Sequence, residues 1–296
     1  MTPAVLVTGC AGFIGAKVVE RLLNDGNTVV GVDNLNEAYD VRLKKWRLQQ
    51  FEDRSGFRYQ NSDILDLGAL ADIFTSRVRS EPPFKTVIHL AARAGVRQSI
   101  ETPNLYFDTN VTGTLNLLRL SSQSGVEKFI LASSSSVYGM GNGNPQGHQE
   151  SDDTNHPLSP YAASKKAAEA LSYSYHFLNK LDITALRYFS VYGPAGRPDM
   201  SPFRFIKWIS EGQTVNVFGD GSQSRDFTYV DDIVDGTLAA MKPVGYEVIN
   251  LGSDSPVALN DLIEIVERTV GKKAIVVRGA KHPADVDSTW ANIKKA

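Results

Sequence analysis

A glycine-rich loop between an apolar segment and an amphipathic segment constrains the fold of this chain more than any other feature. Residues 4–8 are apolar, as in a short buried strand, and residues 13–25 carry apolar side chains at helical spacing up to Gly26. The loop between them reads Gly9-Cys10-Ala11-Gly12-Phe13-Ile14-Gly15. Glycines in this context let the backbone approach a pyrophosphate, which the N–H groups at a helix start can bind. The GxxGxxG pattern therefore predicts a dinucleotide-binding loop, with a plain tight turn as the alternative.

Strand-like and helix-like segments alternate along the first two thirds of the chain. Strands are predicted at residues 4–8, 28–32, 57–60, 86–90, 129–132 and 183–186, and helices at 13–25, 67–78, 103–122 and 161–179. Such alternation indicates an α/β fold, a Rossmann-type doubly wound parallel sheet covered by helices on both faces. After about residue 188, prolines and glycines predict a smaller, irregular C-terminal domain. We expect the first domain to comprise residues 1–187, with 226–251 returning to it, and the second to comprise 188–225 and 252–296.

Composition excludes several classes of function for these 296 residues. Lys and Arg number 31 against 33 Asp and Glu, a net charge of -2, whereas proteins that bind nucleic acid or membrane surfaces carry a basic excess. The single cysteine excludes an internal disulfide and a cysteine-based metal cluster. No segment approaches the ~20 apolar residues of a membrane span, and no basic leader precedes the first strand. We therefore expect a cytoplasmic protein without metal, membrane or nucleic-acid partners.

Polar residues at the ends of the predicted strands suggest a site for redox chemistry. Asp33 ends the second strand, where a carboxylate can accept hydrogen bonds from both ribose hydroxyls of adenosine. The same carboxylate would repel a 2′-phosphate, so it favours NAD over NADP. A capping or turn role is the alternative for Asp33. Tyr161 and Lys165 are four residues apart on one predicted helix face, where the ammonium is expected to lower the phenol pKa and make it a usable base. Serines 133–136 end the fifth strand and could donate to a substrate oxygen or form a polar turn.

Taken together, these segments resemble the extended short-chain dehydrogenase/reductases, and more narrowly the NAD-dependent nucleotide-sugar epimerases. The resemblance rests on the glycine loop, Asp33, Leu90-Ala91-Ala92, Ser134 and Tyr161-xxx-Lys165. In the C-terminal part, three segments are similar to that family's nucleotide-binding region: Phe218-Gly219-Asp220-Gly221, Arg225-Asp226-Phe227 and Val230-Asp231-Asp232. Residues 33–40 and 191–200 resemble the UDP-glucuronate 4-epimerases in particular.

The resemblance implies an isomerase that inverts carbon 4 of a UDP-sugar with NAD, most specifically UDP-glucuronate to UDP-galacturonate. Tyr161 would take the proton of the 4-hydroxyl as hydride leaves carbon 4 for NAD; the 4-keto sugar then rotates and receives the hydride on its other face. Lys165 would bind the nicotinamide ribose and Ser134 would be the catalytic hydroxyl. By analogy, the helices at 103–122 and 161–179 would pair across a two-fold axis to form a homodimer.

The resemblance also implies two sets of binding residues. Cofactor-binding residues are expected at Gly9, Gly12, Phe13, Ile14, Gly15, Asp33, Asn34, Asp63, Ile64, Leu90, Ala91, Ala92, Tyr161 and Lys165. Substrate-binding residues are expected at Arg97, Ser134, Ser135, Ser136, Tyr161, Ser190, Arg197, Asn216, Phe218, Arg225 and Asp285.

Four positions bear on the choice of substrate. Ser135 and Ser136 stand where related dehydratases and decarboxylases have acidic side chains, so no acid or base is expected at carbon 5. Ser190 replaces the asparagine typical of UDP-galactose epimerases, and Arg197 could balance a carboxylate. The chain departs from the family in carrying His282-Pro283-Ala284 before Asp285 and in ending at Ala296, earlier than the resemblance leads us to expect. A UDP-hexose or UDP-N-acetylhexosamine 4-epimerase and a non-catalytic NAD-binding regulator remain as alternatives.

Overall fold

A parallel seven-stranded sheet forms the centre of the computed structural model, which describes residues 4–75, 84–141, 146–281 and 285–296. The strands are β1 Ala4–Thr8, β2 Val29–Asp33, β3 Phe57–Asn61, β4 Phe84–His89, β5 Lys128–Ser134, β6 Asp182–Tyr188, β7 Ser190–Tyr192, β8 Thr214–Phe218, β9 Ser224–Tyr229, β10 Tyr246–Leu251, β11 Pro256–Ala258, β12 Ile275–Gly279 and β13 Ser288–Thr289. The central sheet has the order β10-β6-β5-β4-β1-β2-β3, and neighbouring strands are parallel throughout.

Helices cover both faces of this sheet. They are α1 Phe13–Asn24, α2 Val41–Gln49, α3 Leu67–Thr75, α4 Val96–Glu101, α5 Pro103–Phe107, α6 Gly113–Gln123, α7 Pro160–Asn179, α8 Ser201–Glu211, α9 Val230–Ala239 and α10 Leu259–Val270. Alternate residues of β1 enter two separate cores: Val5 and Val7 pack with residues of α1 and α9, whereas Leu6 packs with residues of α3, α6 and α7. The doubly wound α/β fold predicted from the sequence is thus confirmed.

The C-terminal part is smaller, as predicted, but more regular than the sequence suggests. Strands β8 and β12 pair in parallel, and β8 packs with α8 and α10 around a separate core that includes Phe205, Val215 and Ile263. Strands β7, β9, β11 and β13 form a further small sheet. The expectation of an irregular region is wrong here because Pro202 lies in the first turn of α8, where proline is compatible with a helix.

Residues 226–251 lie partly against the central sheet and partly in the small sheet. Helix α9 contacts α1, and β10 forms the edge of the central sheet beside β6. Residues 226–229, by contrast, belong to β9 in the small sheet. The division of the chain into two domains therefore stays a prediction.

Local irregularities separate the observed helices from the predicted ones. The helix predicted at 103–122 consists of α5, a π-helical turn at Asp108–Thr112 and α6. Helices α2 and α4 were not predicted, because each is short and the sequence of α2 is dominated by charged side chains. Within the described ranges, no helix has the length and apolar character needed to cross a membrane.

Candidate functional site

The candidate site lies at the carboxyl edge of the central sheet, where β1 and β4 are neighbours although the chain continues from β1 to β2 on the opposite side. Ligands of open α/β folds bind at this change of strand order. The loop after β1 and the loop after β4 meet there: a Cβ atom added to Gly9 would lie 2.7 Å from the backbone nitrogen of Ala91. Gly9 also has a φ of 73°, which favours glycine. The glycine loop is thus required for close backbone packing even before a ligand is considered.

The start of α1 has the properties of an anion-binding helix end. A Cβ atom on Gly15 would lie 2.0 Å from the carbonyl oxygen of Gly9, so the first turn of α1 can pack onto the loop only with glycine at this position. Gly12 caps the helix without a side-chain hydrogen bond, and its first turn contains no acidic residue. The N–H groups near Phe13 and Ile14 therefore begin a helix that has no capping carboxylate or hydroxyl of its own, which fits the pyrophosphate of a dinucleotide.

Asp33 and Asn34 lie beside this loop at the end of β2. Asp33 is buried and accepts hydrogen bonds from the backbone N–H groups of Ala11 (3.1 Å) and Leu35 (2.9 Å). Asn34 donates through Nδ2 to Asp63 Oδ2 at 2.7 Å, which joins the ends of β2 and β3. The carboxylate of Asp33 therefore shapes the glycine loop as well as marking the position expected for adenosine ribose.

Several apolar residues of the predicted cofactor set lie in or next to these loops. Ile64 is buried next to Asp63, and a Cβ on Gly113 at the start of α6 would meet its Cδ1 at 2.5 Å. Leu90 and Ala92 flank Ala91 in the loop after β4 and are partly buried. The residues of this edge together fit a dinucleotide that has a free adenosine 2′-hydroxyl.

Tyr161, Ser134 and Lys165 are brought together by α7 and the end of β5. Ser159 caps α7 by accepting from the Ala162 N–H, so Tyr161 lies in the first turn. Burial raises the pKa of Tyr161 above its ordinary value, while its hydrogen bond with Ser134 and the positive charge of Arg197 oppose that shift.

The ammonium of Lys165 is hydrogen-bonded to the backbone of β5. Lys165 is buried, and its ammonium donates to the carbonyl oxygen of Ala132 at 2.9 Å. Burial lowers the pKa of Lys165 to about 8, although the negative charge of Glu169 raises it. In Tyr161 the effect of burial on the pKa exceeds the opposing effects of Ser134 and Arg197, and the expectation that Lys165 lowers this pKa stays a prediction.

A buried ionic network that the sequence analysis missed supports this catalytic cluster. The carboxylate of Glu169 accepts hydrogen bonds from Nε and Nη2 of Arg187, each at 2.9 Å, and from Ser133 Oγ at 2.6 Å. Arg187 further donates to the hydroxyl of Tyr138, which donates to Asn250 on β10. A sequence signal existed, since Glu169 follows Lys165 by four residues on the same helix face.

The predicted substrate residues Ser135, Ser136, Ser190 and Arg197 lie on three separate segments. Ser135 and Ser136 form a short 3₁₀ turn directly after β5 and are partly buried, and the Ser136 N–H donates to Ser134 Oγ at 3.2 Å. Ser190 begins β7 and pairs with Phe227 in the small sheet. The guanidinium of Arg197 pairs with Asp199 at 2.6 Å.

The predicted nucleotide-binding residues form a second cluster at the C-terminal part. Asn216 and Phe218 lie on the same exposed face of β8, since Val217 between them is buried. The guanidinium of Arg97 lies 4.1 Å from the ring centroid of Phe218 and pairs with Asp285 at 2.6 Å. The structure thus brings Arg97 from the first part of the chain onto residues of the second.

Arg225 is placed on β9 near the same carboxylate. Burial lowers its pKa, and the charges of Asp285 and Asp287 oppose that change. Its Nη1 donates to the backbone oxygen of Ser224 at 2.7 Å. The segment His282-Pro283-Ala284 singled out in the sequence lies outside the described residues.

Comparisons with known proteins agree with this arrangement. The profile of the NAD dependent epimerase/dehydratase family matches residues 5–252. The UDP-glucuronate 4-epimerase of Thermodesulfobacterium geofontis is 56% identical over 292 residues, which cover 98% of this chain and 88% of that protein. The crystal structure of UDP-glucuronic acid 4-epimerase from Bacillus cereus in complex with UDP-glucuronic acid and NAD matches with a TM-score of 0.91 and 38% identity, covering 99% of this chain and 91% of that one.

A structure of a different epimerase is also similar. UDP-glucose 4-epimerase from Thermotoga maritima with UDP-glucose matches with a TM-score of 0.88 and 32% identity, over 99% of this chain and 90% of that one. The overall fold alone therefore does not choose between a uronate and a neutral hexose. The chain belongs to the NAD dependent epimerase/dehydratase family, as the resemblance in its sequence predicts.

Proposed function

We propose that this protein is an NAD-dependent isomerase that interconverts UDP-glucuronate and UDP-galacturonate by inverting carbon 4. The observation that carries the proposal is the 56% identity, over 98% of this chain, to a protein named UDP-glucuronate 4-epimerase, and the positive charge of Arg197, which acts on the phenol of Tyr161, fits the same substrate. In a hexuronate the carboxylate is attached to carbon 5, next to the carbon whose hydroxyl loses its proton. A cation close to the base is therefore close to the place where this carboxylate must lie. The relative from Thermodesulfobacterium geofontis, named UDP-glucuronate 4-epimerase, supports the same substrate.

Each side chain of the catalytic cluster has a different role in the proposed proton transfer. Tyr161 accepts the proton of the sugar 4-hydroxyl, and Ser134, which is hydrogen-bonded to it, holds that oxygen in line. Because burial raises the pKa of Tyr161, the phenolate depends on stabilisation by Ser134 and Arg197. Lys165, with a pKa of about 8, is mainly charged at pH 7 and would bind the ribose of the cofactor. When bound, NAD supplies the hydride acceptor and donor for carbon 4.

The glycine loop and the ends of β2 and β4 would hold the cofactor. The start of α1 would receive the pyrophosphate, and Asp33 the adenosine ribose. On the other side of the cluster, Arg225 and Phe218 would hold the diphosphate and the uracil, with Asn216 and Asp285 beside them. A reaction between cofactor and sugar requires the catalytic cluster to lie between these two groups of residues.

Small hydroxyl side chains are expected to bind the uronate carboxylate. Ser135, Ser136 and Ser190 can donate hydrogen bonds to it, and none of them can act as an acid or base at carbon 5. This matters because the 4-keto form of a glucuronate is a β-keto acid, which loses carbon dioxide readily. Arg197 is already paired with Asp199, so the substrate carboxylate would share or replace that partner.

A product assay tests the proposal directly. The NAD-loaded enzyme is incubated separately with UDP-glucuronate, UDP-glucose and UDP-N-acetylglucosamine, and the sugars are resolved by proton NMR. We expect UDP-galacturonate from the first and little turnover of the others. Epimerisation of only a neutral sugar would support the alternative of a UDP-hexose or UDP-N-acetylhexosamine 4-epimerase. NAD binding with no turnover of any of the three would support the non-catalytic regulator.

Two variants test the assigned residues. Tyr161→Phe removes the base, so we expect turnover to fall by roughly 100-fold to 10,000-fold while NAD binding, followed by fluorescence, is unchanged. Arg197→Met should weaken the binding of UDP-glucuronate but not of UDP-glucose, because only the former carries the carboxylate. Equal losses for both sugars would contradict a role of Arg197 in carboxylate binding.

We further propose that two copies of the chain associate through α5 and α7. These helices contact each other, and they expose Phe107, Tyr173, Phe177 and Leu178 to solvent; the exposed fraction is 74% for Leu178. Light scattering after gel filtration should give the mass of a dimer, and Phe177→Asp should give a monomer. The matched control, Ile265→Asp on α10, should stay dimeric. The cytoplasmic location expected from the sequence also stays a prediction.

A further inference from the structure

A buried arginine on α2 lies outside the sites described so far. Arg47 has 3% of its surface exposed, whereas Arg42 on the same helix extends into solvent beside Asp40. Burial of a guanidinium is unfavourable unless acceptors surround it. Among the described residues, the acceptors of Arg47 are backbone carbonyls and one phenol hydroxyl, with no carboxylate among them. An arginine held in this way must have a role that depends on the carbonyls it binds.

These carbonyls belong to two loops far apart in the sequence. Nη2 and Nε of Arg47 both donate to the carbonyl oxygen of Ala195, at 2.6 Å and 3.2 Å, and Nη2 also reaches Gly196 at 3.4 Å. Nη1 donates to the carbonyl of Ala11 in the glycine loop at 3.2 Å and to the hydroxyl of Tyr39 at 2.6 Å. One side chain therefore joins the cofactor loop to the turn that precedes Arg197.

The turn that Arg47 holds has a conformation that needs support. Ala195 has a φ of 54°, in the left-handed region that residues other than glycine rarely adopt. The turn is closed by the Gly196 N–H, which donates to the Gly193 carbonyl at 3.1 Å. The Ala195 carbonyl, with two guanidinium hydrogen bonds, is the point at which the rest of the protein fixes this turn. Arg197 follows two residues later, so its place depends on the same conformation.

The other end of the connection is equally constrained. The N–H of Ala11 donates to Asp33, and the carbonyl of Ala11 accepts from Arg47, so the side chains of β2 and α2 hold this residue on both sides. The aromatic ring of Phe13 lies 6.0 Å from the guanidinium, and a Cβ on Gly196 would lie 3.8 Å from that ring. The turn thus rests against the start of α1 as well as on Arg47.

We propose that Arg47 is a positioning residue that determines specificity: it holds the turn at residues 193–196 against the glycine loop and so fixes the place of Arg197, which would receive the substrate carboxylate. This inference rests on the proposed function. A planar guanidinium is needed because two parallel N–H donors reach one carbonyl while a third reaches the other loop. Loss of Arg47 should release the turn and move Arg197, without removing any group that touches the sugar.

The experiment measures binding with turnover blocked. Isothermal titration calorimetry measures the affinities of UDP, UDP-glucose and UDP-glucuronate for two NAD-loaded proteins. One carries Tyr161→Phe alone, and the other carries Tyr161→Phe together with Arg47→Met. We expect UDP-glucuronate to bind roughly 100-fold more weakly to the variant, by analogy with the effect of displacing a positioned group by about 1 Å. UDP and UDP-glucose should bind nearly as before. Arg42→Met, the matched control on the exposed face of α2, should change none of the three affinities.

Two further variants separate positioning from general stability. Arg47→Lys keeps the charge but loses the planar fork, so its loss for UDP-glucuronate should be intermediate; it also serves if Arg47→Met does not fold. Ala195→Gly added to either variant should restore part of the affinity for UDP-glucuronate, because glycine adopts the left-handed conformation without strain. A merely structural role would lower the melting temperature without this selective rescue.

The outcomes are distinguishable. Equal losses of affinity for UDP, UDP-glucose and UDP-glucuronate, or no selective loss for the uronate, would overturn the positioning role of Arg47. If the protein with Arg47 in place fails to prefer UDP-glucuronate over UDP-glucose, the proposed function itself is wrong and the inference is wrong with it.

Discussion

Replacing Lys165 by methionine separates the role of this lysine in the reaction from its effect on the free energy of unfolding. Burial lowers its pKa from the ordinary 10.5 to about 8, which means that the folded protein disfavours the charged form that exists at pH 7. At about 1.4 kcal/mol per pH unit, the difference amounts to about 3 kcal/mol of lost stability. Methionine has a similar shape and no charge, but it loses the hydrogen bond to Ala132. We therefore expect a net gain of about 1 to 2 kcal/mol in the free energy of unfolding.

The pH dependence gives this prediction its sign. Between pH 8 and 10.5 the unfolded chain binds more protons at Lys165 than the folded one, so the contribution of this residue to stability rises with pH. The unfavourable term is complete below pH 8 and shrinks by roughly 1 kcal/mol by pH 9. The advantage of Lys165→Met over the unsubstituted protein should therefore be largest at pH 7 and smaller at pH 9.

The assay is urea unfolding of NAD-free protein at pH 7 and pH 9, followed by circular dichroism. The control is Lys45→Met, which removes an exposed lysine from α2 and should leave the free energy of unfolding within about 0.5 kcal/mol. Turnover by Lys165→Met should be lost under all conditions. The reasoning is refuted if Lys165→Met is less stable than the unsubstituted protein at pH 7, or if the difference does not change with pH.

Three further substitutions probe the framework of the site. Gly15→Ala places a Cβ 2.0 Å from a backbone oxygen, so thermal unfolding should show a loss of at least about 1 to 3 kcal/mol, and NAD binding should fail. Gly68→Ala, whose Cβ meets only a side-chain atom at 3.4 Å, should be neutral or stabilising by about 1 kcal/mol; equal effects would contradict the steric argument. Glu169→Gln leaves the charge of Arg187 buried without its partner and should cost about 3 to 5 kcal/mol in urea unfolding, and a loss below 1 kcal/mol would refute that estimate. Asp33→Ser removes the carboxylate expected to repel a 2′-phosphate, so fluorescence titration should show tighter NADP binding, and an unchanged affinity for NADP would argue against that role.

Local patterns in the sequence were sufficient to predict the central framework. The glycine loop, the apolar strands and the helix that carries Tyr161 and Lys165 were all identified, and the doubly wound sheet is confirmed. Each of these features lies within a single element or between two successive ones, where hydrophobic period and residue spacing reflect the structure directly.

The electrostatics of the site were decided only by tertiary structure. The charge of Arg197, which lies 36 positions along the chain, opposes the effect of burial on the phenol of Tyr161. The carbonyls that bind Arg47 are separated from it by 36 and 148 positions. No periodic pattern carries such information, because these contacts form when separate elements pack.

The C-terminal part shows the same limit for the fold. Its strands are two to six residues long, and β9 pairs with neighbours from before and after it in the chain. The sequence by itself determined that a dinucleotide-binding sheet would form and where its reactive helix would lie. Tertiary packing decided which buried charges face one another, because the energy of a charge depends on all the groups around it and not on its neighbours in the sequence.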